Sequence, residues 1–217
     1  MTISAESVRK LRETTGAGML DCRNALQQVQ GDFEKAVEFL RKKGAADASK
    51  KAGRIAAEGL IYSYIHGEGR IGVLVEVNCE TDFVSRNENF KEFIKNVAMQ
   101  IAAVNPQYVS EAEVPSTILE KEKEIYKEQA KTTGKPAAVI DKIIEGKIQK
   151  FYDEVCLLKQ TYIKDPDKKI SDLLKELIVQ VGENCRVRRF VRFQLGEGIE
   201  KRKEDFATEV ANQVKSR

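Results

Sequence analysis

Residues 71–84 read IGVLVEVNCETDFV. The first nine are rich in β-branched residues and end in polar ones, which predicts a β-strand. A helix is predicted to begin near Asn89, so Asp82 and Phe83 fall on the connection between strand and helix, where functional residues are common. An exposed Phe is suited to fill a pocket on another protein. The alternative is that Phe83 packs beneath its own loop.

A small antiparallel sheet is predicted around this strand. Residues 60–65 form a second strand, and the five residues 66–70 contain two glycines, which fits a hairpin. His66 lies in that turn and is assigned to turn chemistry rather than catalysis. Residues 187–195 alternate apolar and polar side chains and predict a third strand, whose arginines indicate one solvated face. Residues 89–103 carry a helical apolar stripe that we expect to pack on the sheet.

The N-terminal part predicts three short helices. Ser4 caps the first and Gly16 ends it. In the second, residues 19, 22, 25, 26 and 29 recur at helical spacing and are expected to face inward, whereas Leu20 lies off that face and is a candidate contact. The third is expected to end at Gly44, followed by a basic linker over residues 45–53.

The remaining segments are predicted to be mostly helical. One helix opens at Ser116 and another runs through residues 139–155, and together they are expected to form an antiparallel hairpin. Residues 165–167 predict a turn. A helix capped by Ser171 is expected to end at Gly182, and residues 205–214 predict a short amphipathic tail.

Composition excludes several classes of protein. The 217 residues are 41% hydrophobic, enough for a core, and the net charge of +3 is too small to indicate a nucleic-acid footprint. Four separated cysteines and a single histidine argue against a zinc site, although two thiols could still meet in space. No secretion signal and no apolar run of about 20 residues is present, so we expect a cytoplasmic protein without a membrane span.

Motifs for bond-making chemistry are missing as well. The sequence contains no GxxxxGK[ST] phosphate loop, no GxSxG nucleophile motif and no HExxH metal motif. We therefore expect no catalytic residue, no cofactor and no metal.

Three segments together resemble the elongation factor Ts family. They read LRETTGAGMLDC at residues 11–22, NCETDFV at residues 78–84 and GEGIEK at residues 196–201, in the order that the family has. Three ordered motifs are more specific than one short match. The resemblance covers essentially the whole chain and, with a single copy of each motif, indicates the short form of the family.

The resemblance implies an α+β fold. Residues 1–53 would be a UBA-like three-helix bundle with its linker. Residues 54–200 would be a core with a three-stranded antiparallel sheet covered by helices and a helical hairpin. Residues 201–217 would form a C-terminal tail helix.

The resemblance also implies a function. The chain would be a guanine-nucleotide exchange factor for elongation factor Tu, binding its GDP-bound and nucleotide-free forms, disturbing the Mg²⁺ and phosphate site and promoting GDP release so that GTP can bind. No direct contact with nucleic acid or membrane is expected. A homodimer giving a 2:2 complex is compatible with the resemblance, as is an organelle such as a plastid instead of the bacterial cytoplasm.

The partner-binding residues expected from the resemblance are Arg12, Met19, Leu20, Thr81, Asp82, Phe83, Val84, Gln100, Phe206 and Val210. Phe83 would be the wedge near the Mg²⁺ site and Asp82 its polar companion. Gln100 stands where many relatives carry a histidine near the phosphate-binding loop. Since an amide cannot be protonated as an imidazole can, we expect bulk rather than charge to act there.

Two other functions are compatible with composition alone. One is binding of RNA or the ribosome through Arg186, Arg188, Arg189 and Arg192, which would weaken steeply with salt. The other is a structural dimerisation module built on the helical hairpin, with no effect on any GTPase.

Overall fold

The computed structural model describes residues 3–131 and 136–199, which form an α+β fold, as predicted. The helices are α1 (Ala5–Thr15), α2 (Met19–Gln28), α3 (Phe33–Lys51), α4 (Asp82–Ser85), α5 (Glu88–Val104), α6 (Ser116–Lys131), α7 (Ala137–Val155) and α8 (Ile170–Val181). The strands are β1 (Glu58–His66), β2 (Ile71–Cys79), β3 (Thr161–Tyr162), β4 (Asp165–Lys169) and β5 (Arg186–Gln194).

The predicted three-stranded antiparallel sheet is confirmed, with the order β1-β2-β5. β3 and β4 form a second, two-stranded sheet that was not predicted. The turn expected at residues 165–167 is wrong, because Asp165 opens β4. Pro166 is tolerated there because β4 pairs on one side only, with β3, and proline is accepted on such edge strands.

α1, α2 and α3 form the predicted bundle around a core of its own. The side chain of Ser4 accepts a hydrogen bond from the Ser7 amide, and Gly16 ends α1 in the left-handed conformation, as expected. Leu11, Cys22 and Leu26 are fully or almost fully buried in this core. Met19 was expected to face inward, but it is the first residue of α2 and 47% exposed.

α3 continues seven residues beyond its predicted end at Gly44. A Cβ added at Gly44 would lie 2.7 Å from Val179 Cγ2 of α8, so this glycine serves close packing of two helices rather than a helix end. Residues 45–51, predicted as linker, are the last turns of α3, and Ala48 packs in the core of the sheet. The boundaries predicted at residues 53 and 200 stay predictions, and the predicted tail helix lies outside the described residues.

The main core lies between the sheet and the helices that cover one of its faces. β2 contributes Val73, Val75 and Val77, all buried, and α5 and α8 pack over them. The predicted α5 stripe, at positions 90, 93, 94, 97 and 101, is buried as expected.

A β-bulge in β5 decides what the other face of the sheet exposes. The register of β5 shifts opposite Glu76, so that the adjacent residues Arg188 and Arg189 both donate to the Glu76 carboxylate, at 2.8 and 2.7 Å. These two guanidinium groups lower the pKa of Glu76 to about 2. Beyond the bulge Val191 points outward.

The exposed face of the sheet carries Arg188 and Arg189, as expected of the predicted solvated face, but its other side chains are largely apolar. We call it the outer sheet face; its apolar members are Ile61, Ile65, Leu74, Val191 and Phe193, each between 43% and 70% exposed.

Candidate functional site

Phe83 projects from α4, the short helix that follows β2. Its side chain is 80% exposed, so the alternative in which it packs beneath its own loop is wrong. Val84, the next residue, is buried in the main core. One helical turn thus anchors α4 on one side and presents a phenyl ring on the other.

Thr81 faces inward. Its amide N–H donates to Glu183 Oε2 at 2.9 Å, and its hydroxyl donates to Glu183 Oε1 at 2.7 Å. Thr81 and Val84 belong to the set that the resemblance gives as partner-binding, and in the structure both side chains hold the loop from inside.

Asp82 lies at the surface beside Phe83. Its Oδ2 accepts a hydrogen bond from Arg86 Nη2 at 2.8 Å, in an ion pair whose side chains are both substantially exposed. Exposed pairs of this kind contribute little to stability, so the Asp82 carboxylate is free to exchange Arg86 for another partner. Ser85 and Cys79 stabilise the turn through the carbonyl oxygens of Asp82 and Thr81.

Three segments far apart in sequence meet behind this loop. The backbone N–H of Asn184 donates to Glu80 Oε1 at 2.6 Å, and its side-chain amide donates to the carbonyl oxygen of Arg54 at 2.8 Å. The guanidinium of Arg54 lies 3.5 Å from the same Glu80 carboxylate. Asn184 is only 4% exposed, so these bonds are well shielded from water.

Gln100, which the resemblance gives as partner-binding, is not at the surface of the structure. It is fully buried; its amide nitrogen donates to Gln160 Oε1 and to the carbonyl oxygen of Thr161, and its Oε1 accepts from the Ile163 N–H. These three hydrogen bonds join α5 to the segment before α8.

Arg12, Met19 and Leu20 lie exposed on the bundle, with Leu20 68% exposed. The bundle that carries them has a hydrophobic core of its own, separate from the core in which α4 is anchored. The bundle is joined to α8, since Gly44 approaches Val179 and Gly16 lies close against the Gln180 side chain. Phe206 and Val210 lie outside the described residues.

The comparisons with known proteins agree with one another. The model of the family described as "Elongation factor TS" matches residues 27–197. Elongation factor Ts of Geobacter sulfurreducens is 60% identical over 211 residues, covering 97% of this chain and 98% of the relative. That of Desulforamulus reducens is 59% identical over 214 residues, 99% of each chain. That of Caldanaerobacter subterraneus subsp. tengcongensis is 62% identical over 199 residues, 92% of this chain and all of the relative.

The chain belongs to the elongation factor Ts family. This family is the nucleotide exchange factor of elongation factor Tu, a role that involves no bond-making chemistry. Within residues 3–131 and 136–199 no group of three or more His, Cys, Asp or Glu side chains is arranged to hold a metal ion. No helix of these ranges is both long and apolar enough to cross a membrane.

Three of the four arginines of β5 make contacts within the protein. Arg188 and Arg189 are paired with Glu76, and Arg192 donates to the carbonyl oxygen of Ala102 and to the Gln194 side chain. Their positive charge is thus partly neutralised or turned toward the protein itself.

Glu183 and Asn184 are residues of the candidate site that sequence reasoning missed. The signal lies in the topology: β5 pairs with β2 in the antiparallel direction, so the end of β2 and the start of β5 lie at the same end of the sheet. Polar residues just before β5 therefore lie near the residues just after β2.

Proposed function

We propose that this chain binds the GDP form of elongation factor Tu and accelerates GDP release by inserting Phe83 between two helices of the GTPase domain near the Mg²⁺ site. The observation that carries this proposal is the 80% exposure of Phe83 on a helical turn whose neighbours, Thr81 and Val84, are fixed from inside. A large aromatic side chain held in this way is suited to fill a pocket on a partner.

Exchange follows from linkage between the two ligands of the GTPase. If the factor weakens GDP binding, GDP weakens binding of the factor by the same ratio. The factor therefore needs only to prefer the GTPase state that holds nucleotide poorly. In P-loop GTPases, backbone amides, a lysine and Mg²⁺ hold the phosphates, so displacing the elements near the metal lowers nucleotide affinity.

The bundle supplies a second contact in this proposal. Arg12, Met19 and Leu20 would grip a helix on the flank of the GTPase domain, where two exposed apolar side chains and one cation suit a mixed surface. Phe206 and Val210 of the C-terminal segment would touch the same domain.

Gln100 has a different role in this proposal from the one that the resemblance suggests. Since its side chain is buried and hydrogen-bonded, it would act by holding the segment after α7 against α5 rather than by touching the phosphate loop.

The direct test is stopped-flow release of a fluorescent GDP analogue from elongation factor Tu, with and without this protein. We expect release to accelerate by orders of magnitude, and Phe83→Ala to lose most of that acceleration. A folded sample that leaves the release rate of a matched GTPase unchanged would reject the exchange function. Binding to RNA that falls steeply across a salt series would then favour the RNA alternative.

The outer sheet face supports a homodimer, which would give a 2:2 complex with the GTPase. The described helices cover the opposite face of the sheet, and contiguous apolar surface of this kind marks interaction sites. Its carboxylate, Glu76, is neutralised by Arg188 and Arg189. An identical face packed against it about a two-fold axis, as two sheets pack in a sandwich, would bury these apolar side chains from water.

Analytical ultracentrifugation tests this interface. Phe193→Asp buries a charge in the proposed contact and is expected to give a monomer. Ile125→Asp, on α6, is the matched control, since it places the same charge on an exposed apolar site of the helical hairpin. Dissociation by Ile125→Asp with an intact Phe193→Asp dimer would move the interface to the hairpin.

The reaction would take place in the cytoplasm. The bacterial origin of the relatives supports the bacterial cytoplasm rather than an organelle.

A further inference from the structure

Glu183 holds the loop that carries Phe83 through both of its carboxylate oxygens. They accept the amide and the hydroxyl of Thr81 at 2.9 and 2.7 Å, across 102 positions of sequence. We propose that Glu183 is a positioning residue for nucleotide exchange, fixing the direction in which α4 presents Phe83. This inference rests on the proposed exchange function.

α4 needs such help because of its length and its first residues. Four residues are too few for a helix that is stable by itself. Thr81 is its N-cap, and its side chain makes no capping hydrogen bond within α4. In a capping box the third helical residue returns a carboxylate to the N-cap amide, but here that residue is Val84. Glu183 supplies the missing carboxylate from another segment.

The position of Glu183 is itself fixed on both sides. Gly182 ends α8 in the left-handed conformation, with its N–H bonded to the Ile178 carbonyl oxygen. Asn184, on the other side, is buried and bonded to Glu80 and to the backbone of Arg54. The carboxylate is therefore held between two anchored neighbours, and its grip on Thr81 transmits that rigidity to α4.

Rigidity matters because the ring itself touches little of its own protein. A side chain that is 80% exposed gains no fixed direction from packing, so the direction of its backbone has to be fixed from behind. A wedge held in one direction enters its pocket in one geometry in every complex, whereas a variably aimed wedge does so in only part of the complexes. Loss of the Glu183 carboxylate would leave Phe83 present but variably aimed.

Two variants test this role. Glu183→Ala removes both acceptors, and Thr81→Val removes the hydroxyl at nearly constant volume. In GDP-release assays we expect Glu183→Ala to lower the maximal release rate about tenfold, with a smaller loss for Thr81→Val. The protein concentration at half-saturation should change less than about twofold, because the bundle contact is intact. The double variant should be no worse than Glu183→Ala alone, because the two changes break one interaction.

A second measurement tests the two hydrogen bonds between Thr81 and Glu183, which we call the clamp, in the absence of any partner. Amide hydrogen exchange of Thr81 in the free protein, followed by NMR, should be about tenfold faster in Glu183→Ala than in wild type. Glu183→Gln keeps one acceptor for that N–H and should restore much of the protection. Glu120→Ala, an exposed glutamate on α6, is the matched control and should change neither readout.

The outcomes separate this inference from the proposed function. If wild type accelerates GDP release but Glu183→Ala keeps the maximal rate, the positioning role is rejected and the exchange function stands. An unchanged rate of Thr81 amide exchange in Glu183→Ala would reject the clamp itself. If wild type does not accelerate release at all, the exchange function fails and the positioning role in exchange fails with it.

Discussion

The phenyl ring of Phe83 makes few contacts within the protein, so its removal separates function from stability. We expect Phe83→Ala to lower stimulated GDP release at least about 30-fold. Truncating a hot-spot side chain typically costs about 2 kcal/mol or more of interaction free energy, which corresponds to this factor. Thermal unfolding should be nearly unchanged, because the side chain is 80% exposed and leaves no cavity.

Ile163→Ala is the control for Phe83→Ala. It also truncates an exposed apolar side chain, and it lies beside Gln100, near the far end of α5 from α4. Full stimulation by Phe83→Ala would exclude the wedge, whatever family the chain belongs to.

For Gln100 we expect the opposite result, a loss of stability without a loss of exchange activity. Gln100→Ala removes a buried side chain and leaves the Ile163 N–H and the Thr161 carbonyl oxygen without this partner, so we expect unfolding in urea to become easier by about 1–3 kcal/mol. At a temperature where both proteins are folded, stimulated GDP release should be the same as in wild type. A loss of release without a loss of stability would instead return Gln100 to the binding surface.

At the residue scale, sequence predicted exposure unevenly: Leu20 is exposed as expected, whereas Met19 was expected to face inward and is also exposed. Asp82 and Phe83 could be placed at the surface because they follow a strand, but the inward direction of Thr81 depends on Glu183, 102 positions away. The burial of Gln100 was accessible from spacing alone. It lies seven residues after Phe93 and three after Val97, on the buried face of α5.

At the scale of helices, the stability of Gly44→Ala tests the packing of α3 against α8, because close packing reverses the sign of the expected change. In an isolated helix Gly→Ala stabilises by about 1 kcal/mol. At position 44 the added methyl group would lie 2.7 Å from Val179 Cγ2, so we expect Gly44→Ala to destabilise the protein and Val179→Ala to rescue it. Gly146→Ala on α7 is the control, since nothing lies within 4 Å of its added Cβ, and it should stabilise. Stabilisation by Gly44→Ala would mean that α3 and α8 do not pack closely.

At the scale of strands, the bulge in β5 gives a pH dependence. The pKa of Glu76 is lowered from its ordinary 4.5 to about 2 by Arg188 and Arg189. Its contribution to stability is therefore fully present above pH 4.5 and is lost as the pH falls toward 2. Urea unfolding of Glu76→Gln should start from a lower midpoint at neutral pH and converge with wild type near pH 2. Parallel curves over this range would show that the two arginines do not stabilise the carboxylate.

The bulge also explains why the apolar side chains of the outer sheet face were not predicted. Strict alternation places Val187 and Val191 on the same face, but one extra residue between them reverses the order. Nothing in the local sequence marks this position, because the signal is the pairing of two adjacent arginines with a carboxylate on β2. The end of α3 was also mispredicted. The sequence alone does not show whether Gly44 ends a helix or allows a neighbouring helix to pack closely.

At the scale of the whole molecule, the four cysteines report on the integrity of the fold. Cys22, Cys79, Cys156 and Cys185 are buried free thiols, and burial raises the pKa of each, to about 11 for Cys79 and Cys156 and about 12 for Cys185. Since the thiolate is the reactive form, we expect no reaction with Ellman's reagent at pH 8 in the folded state and four thiols per chain in denaturant. Prompt reaction of a thiol in native buffer would show that its part of the core opens readily.

The overall architecture followed from sequence because it depends on periodicity. The helices of the bundle, the two hairpin strands and the third strand each show a spacing of apolar side chains that is typical of one helix or one strand. The relation between these parts did not follow, because it depends on single contacts such as Gly44 with Val179 and Thr81 with Glu183.

Those two contacts lie on one helix and the loop after it. α8 carries the bundle on its flank, and the residue that grips the Phe83 loop follows its C-terminal end. α8 therefore connects two side chains proposed to contact the partner, Leu20 on the bundle and Phe83 on α4. Because one helix contacts the bundle and leads into the residue that holds the loop, Leu20 and Phe83 are presented at one spacing, which a surface that binds both side chains has to match.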